Sequence, residues 1–191
     1  MNRFFEIIKY TWKAKGRHGI HSPFVYDLLD NCFKIPISSQ KINGMSAKIK
    51  VHAKTLHCLM QLSKHLKFNT LLTENALRSD IEGLTKELNI PSEVQNLSFF
   101  DQLEKEKHAS VILLTTDTRK VDIFKNLNEL LPLLDENSII LIDGIRANDH
   151  MYSEWKQLKE KTEFHFSADV FHFGILAKRS FQEKEQFILR Y

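Results

Sequence analysis

Five polar side chains follow directly on apolar runs, and their spacing suggests chemistry. Glu74 and Asn75 come after Thr70–Thr73, Asp101 after Val94–Phe100, Asp117 after Ala109–Thr116, and Asp143 after Ser138–Ile142. If these runs are strands of an open α/β sheet, all five stand at strand carboxyl ends, where such sheets bind ligands. Carboxylates gathered there can hold ribose hydroxyls, a divalent cation or a substrate ammonium. They can equally cap the helices that follow each strand. Glycine is conspicuous by its absence. No G-x-G-x-x-G or G-x-x-x-x-G-K-[ST] occurs, and no glycine lies between Gly44 and Gly83. The turn after the first strand reads Thr73-Glu74-Asn75-Ala76. Asn75 is a partial substitute there, because asparagine tolerates the left-handed backbone.

Other chemistries are poorly supported. Of the nine histidines, His18 and His21 flank Gly19, and His52 and His57 are five apart. Neither spacing is that of a metal motif, so no metal is expected. Cys32 and Cys58 stand in helical patterns and read as buried thiols of a reducing compartment. No nucleophile elbow accompanies a serine.

The elements that must position these residues divide near residue 67. Residues 3–14 predict a short helix with Phe4, Ile7, Ile8 and Thr11 or Trp12 on one face. Ser22-Pro23 predicts a cap and first turn for a second helix ending near Phe33. Residues 45–66 predict one continuous third helix. Beyond residue 67 the pattern alternates. Ser79-Asp80-Ile81-Glu82 has the form of a capping box, placing a helix over 80–88. Residues 119–134 predict another helix, and Asn148 or Asp149 caps one over 150–160. The continuous apolar runs 109–116 and 138–142 are of the kind buried on both faces of a parallel sheet. The runs 163–178 and 184–190 predict a terminal antiparallel pair. The expected division is a helical extension over 1–67 and a sheet domain over 68–191.

The chain has 191 residues and a net charge of +3, with 42% hydrophobic and 27% charged residues. That is globular composition, with no disordered tract, no secretory signal and no membrane span, and a cytoplasmic setting is expected. The charge is uneven. Residues 1–67 carry 12 Lys and Arg against 3 Asp and Glu, and the remainder carries 15 against 21. The basic third either meets an anionic partner (nucleic acid, an acidic lipid surface or a protein) or docks on the acidic remainder. The lysines are dispersed and lack interleaved aromatics, so nucleic acid is not expected. A homodimer through an exposed final strand is open.

Residues 15–29, Lys-Gly-Arg-His-Gly-Ile-His-Ser-Pro-Phe-Val-Tyr-Asp-Leu-Leu, resemble the "GRHGIHSPFV" signature of a group of bacterial class I S-adenosylmethionine-dependent methyltransferases. His150–Trp155 is similar to that family's "GM..AW" helix, Asp169–Leu176 to its "D-L-F-x-x-G-I" strand, and Gln186–Tyr191 to its closing strand. The resemblance implies a Rossmann-like α/β methyltransferase sheet, shortened, with a terminal antiparallel strand pair and a preceding helical segment. It implies S-adenosylmethionine over Glu74, Asn75, Asp101 and Asp117, and Asp143 as the catalytic position facing a substrate or cation. Arg17, His18 and His21 of the signature would either cover the site mouth or fix the angle between two helices. The departures are specific. The glycine turn after the first strand is missing, the interval 75–109 is too short for the family's full complement, and Asp143-Gly144-Ile145-Arg146 lacks the family's second acid, histidine and tryptophan. The expectation is a methyltransferase-like protein with an impaired or lost cofactor site. The alternatives are an active methyltransferase on a small-molecule or protein substrate, and a basic-surface binding module.

Overall fold

The structure is a computed structural model that describes residues 3–16, 20–34, 39–96, 110–115, 127–128 and 130–191. Arg17, His18, Asp101, Asp117 and most of the helix expected over 119–134 lie outside the described residues.

The N-terminal third is helical. Helix α1 spans Arg3–Lys13, and α2 spans Pro23–Asp27 and runs into a π-helical turn at Leu28–Phe33. Helix α3 covers Ser39–Ile49 and α4 covers Ala53–His65. The single helix expected over 45–66 is therefore two. Lys50 takes a left-handed conformation (φ 56°) that ends α3. His52 is extended and caps α4, its Nδ1 accepting from the Lys54 amide at 3.2 Å.

The strands are β1 (Thr70–Thr73), β2 (Glu93–Asn96), β3 (Ser110–Leu114), β4 (Ile139–Asp143), β5 (Phe166–Asp169), β6 (Phe173–Ala177) and β7 (Glu185–Ile188). Helix α5 spans Asn75–Glu87 and α6 spans Asp149–Leu158. The strands form one sheet in the order β2-β1-β3-β4-β6-β5-β7. The first four are parallel, β6 is antiparallel to both β4 and β5, and β7 is parallel to β5. The antiparallel partners thus both fall inside the run 163–178, as a tight β5–β6 hairpin, and 184–190 does not pair antiparallel with it. A left-handed Phe171 (φ 68°) closes this hairpin. Helix α5 begins at Asn75, five residues before the start expected from Ser79–Glu82. Instead of forming a capping box, Asp80 pairs with Lys48 and Glu82 with Lys86.

Alternation along the strands sends successive side chains to opposite faces. Leu71, Val111, Leu113, Ile139 and Leu141 share one hydrophobic cluster with Val25, Leu28, Leu56 and Leu59 of the N-terminal helices and Ile81 and Leu84 of α5. Leu72, Ile112, Leu114, Ile140 and Ile142 share the other with Trp155 and Leu158 of α6. The N-terminal helices are thus one of the two layers covering the sheet. Part of the basic third also docks on the acidic remainder, through Lys41–Glu87 at 2.7 Å and Lys48–Asp80.

Gly174 in β6 shows how closely α6 packs. A Cβ there would lie 2.6 Å from Cη2 and 2.8 Å from Cε3 of Trp155, a ring only 2% exposed. Gly174→Ala is expected to lower stability by about 1–3 kcal/mol, since the ring must shift in a filled core. A denaturant midpoint equal to that of the parent would show that Trp155 can move freely.

Candidate functional site

Strand β4 delivers Asp143 to its carboxyl end, where Gly144 (φ 71°) turns the chain and donates its amide to the carbonyl of His172 at 2.8 Å. Asn148 then caps α6, its side chain accepting from the Met151 amide at 2.9 Å. A cavity of about 720 Å³ opens at this end of the sheet. Its walls come from four places: Glu6 of α1, Ser46 and Lys50 to His52 around the α3–α4 junction, Asp143, Gly144 and Arg146 to Asp149, and Phe171 and His172 of the β5–β6 turn.

Asp143 is buried, with 6% of its surface exposed. Its carboxylate accepts from the Thr55 hydroxyl and from the His52 amide at 3.3 Å. Burial pushes its pKa up, while Thr55 and the His52 and Gly144 amides pull it down; burial prevails. A carboxylate facing the first amides of α4 also offsets that helix's unpaired donors.

His52 and His172 stack in the cavity wall with centroids 3.6 Å apart and planes 14° from parallel. One comes from the α4 cap and the other from the hairpin turn. Arg146, also in the cavity lining, forms a buried ion pair. Arg146 donates from both terminal nitrogens to Asp169, each at 2.6 Å, with both side chains under 10% exposed. Arg146 also donates to the Phe171 carbonyl (3.2 Å) and the Tyr152 hydroxyl (3.3 Å), and its guanidinium lies over the rings of Tyr152, Phe171 and Tyr10. Asp169 in turn accepts from the Phe171 amide at 3.0 Å. The pair therefore holds the left-handed turn that presents His172.

Among the sequence-derived site residues within the described residues, Asp143 alone lines the cavity. Glu74 stands at the end of β1, where its Oε1 accepts from the Thr115 amide and hydroxyl, both at 3.2 Å. Asn75 is exposed at the first position of α5, and His21 is exposed ahead of the buried Ser22. Sequence reasoning missed His172 and Arg146 as site residues and dismissed His52 for its spacing. Only the position of Arg146 and His172 beside the acids Asp143 and Asp169 hinted at them. Cys32 and Cys58 are buried thiols, Cys32 pushed up to about 12 by burial and by Asp27. Among the described residues, no group of three or more His, Cys, Asp or Glu is placed to hold a metal ion.

The sequence matches no family model and no curated protein. The fold does have solved counterparts. A methyltransferase from Geobacter sulfurreducens superposes with a TM-score of 0.53 over 83% of this chain and 98% of that one, at 10% identity. Cofactor-bound Rv0187 from MTB gives 0.51 over 85% and 99%, at 11% identity. A protein from Corynebacterium glutamicum gives 0.51 over 81% and 95%, at 11% identity. The fold is the Rossmann-like fold of methyltransferases. Identities this low establish the methyltransferase-like architecture alone. Among the described residues, no helix is long and apolar enough to cross a membrane.

Proposed function

We propose that this chain is a methyltransferase-like protein whose S-adenosylmethionine seat at β1 is impaired or lost, and whose binding site is the cavity beyond β4. The observation that carries this reading is the β1–α5 connection. In the family that residues 15–29 resemble, a glycine-rich turn after the first strand brings backbone against the cofactor. Here a single residue, Glu74, separates β1 from α5. Its carboxylate is engaged with Thr115, and Asn75 is already helical. The described residues at β1 do not fit the cofactor, because no turn remains for a close backbone approach. Asp101 and Asp117, the other two residues of the expected seat, lie outside the described residues.

In this reading Asp143 positions the cavity wall by fixing the start of α4, and His52 and His172 are the groups a ligand meets. Arg17, His18 and His21 have a structural role in this reading and not one at the site. A second reading, an active methyltransferase, draws support from the cavity itself. About 720 Å³ lined by mixed charges suits a small-molecule acceptor.

Isothermal titration of S-adenosylmethionine into the purified chain separates the two. No heat of binding at millimolar cofactor is the expected result. A dissociation constant tighter than about 100 µM, roughly −5.5 kcal/mol, would overturn the proposal and direct the search to acceptors.

A further inference from the structure

Helix α1 is mounted with its apolar side outward. Tyr10 faces inward, its ring 5.1 Å from that of Phe171 and its hydroxyl donating to the Leu189 carbonyl, and Ala14 just beyond the helix is 8% exposed. The chain after the helix is pinned to β7, with the Lys15 amide on the Ile188 carbonyl (2.8 Å) and the Arg190 amide on the Lys15 carbonyl (3.0 Å). On the opposite side Phe5, Ile8 and Trp12 recur at i, i+3 and i+7 and are 59%, 40% and 89% exposed. Lys9 and Lys13 follow beside this stripe, both exposed, with Lys9 3.8 Å from the less exposed Glu6. An interior helix would bury such a stripe.

We propose that α1 docks on a lipid bilayer rich in anionic headgroups, lying in the interface plane with Phe5, Ile8 and Trp12 inserted and Lys9 and Lys13 on the lipid phosphates. An aromatic and aliphatic stripe flanked by lysines is the composition of an interfacial helix, tryptophan favouring the headgroup boundary. Charge complementarity selects anionic lipid, each basic residue near such a surface adding to the attraction. A second copy fits less well. Three side chains offer far less than the roughly 800 Å² per partner of a stable interface. A two-fold axis along the stripe would also set the lysines of one copy against those of the other.

Sedimentation with phosphatidylcholine vesicles, with and without about 30% phosphatidylserine, tests this on the full chain. Tryptophan emission is the second readout. The chain has two tryptophans, and Trp155 is 2% exposed, so a blue shift on binding reports Trp12. The expected result is binding to the anionic vesicles with a blue shift, weakened by salt. Both Ile8→Ser/Trp12→Ser and Lys9→Glu/Lys13→Glu should weaken it by about tenfold or more. All four positions are exposed, so each variant should melt like the parent. No binding to anionic vesicles at low salt would overturn the proposal, as would binding unchanged in both variants. A concentration-dependent dimer abolished by Trp12→Ser would overturn it too, making the stripe an interface between copies.

Discussion

Replacing Arg146 by alanine is expected to lower folding stability by about 3–5 kcal/mol, the usual consequence of removing one partner of a buried ion pair. Asp169 is 7% exposed and would be left buried with no cation beside it. The loss would spread, since Asp169 also accepts from the Phe171 amide and that bond holds the left-handed turn between β5 and β6. Arg146→Lys should recover only part of the loss, because an ammonium cannot reproduce two parallel bonds to one carboxylate. Arg146→Met combined with Asp169→Leu should be far closer to the parent than either single change, as both desolvated charges then disappear together. Urea unfolding of the parent, Arg146→Ala, Arg146→Lys, the two single changes and the double variant measures this. A loss under about 1 kcal/mol for Arg146→Ala would mean that water reaches Asp169 and the pair counts as a surface one.

Asp143→Ala is expected to cost about 2–3 kcal/mol, because it strips the acceptor from the Thr55 hydroxyl and from the His52 amide. The loss should fall on the α3–α4 junction, visible as faster amide exchange at the start of α4. Asp143→Asn isolates the charge and carries a pH signature. Burial raises the Asp143 pKa, so the folded state holds this proton more tightly than the unfolded state. The resulting stabilisation is complete below the ordinary carboxylate value, near 3.9, and fades as pH rises through the raised folded value. The stability difference between parent and Asp143→Asn should therefore shift in the parent's favour as pH falls through that window. A difference independent of pH would mean that Asp143 is as solvated folded as unfolded.

Local sequence was a good guide wherever the physics is local. Strands β3 and β4 read as continuous apolar runs because helices cover both faces of a parallel sheet. Pro23 marked the start of α2 through its fixed φ, although the Ser22 hydroxyl donates to Glu185 and does not cap the helix. Of Asn148 and Asp149, Asn148 caps α6, because caps act within one turn. Asp143 stood out in the sequence as the acid directly after an apolar run, and the structure sets it in the cavity wall. The helix expected over 45–66 shows where this stops. Its apolar stripe continues past residue 50, yet Asp143, 91 positions along the chain, accepts the His52 amide and starts a new helix there. The β5–β6 hairpin is similar. Phenylalanine has no preference for a positive φ, and nothing in Asp-Val-Phe-His-Phe announces a turn until Arg146 is seen holding Asp169.

The sequence by itself determined the alternation of strands and helices after residue 67, the sheet class, the basic N-terminal third and the missing glycine turn after the first strand. Each rests on composition, periodicity or the conformational freedom of single residues, all properties a chain carries before it folds. The tertiary structure alone decided that the N-terminal helices form a face of the core, that His52 and His172 stack, and that α1 turns its apolar stripe outward. Those outcomes depend on contacts between residues far apart in the chain, where burial and charge pairing outweigh local preference.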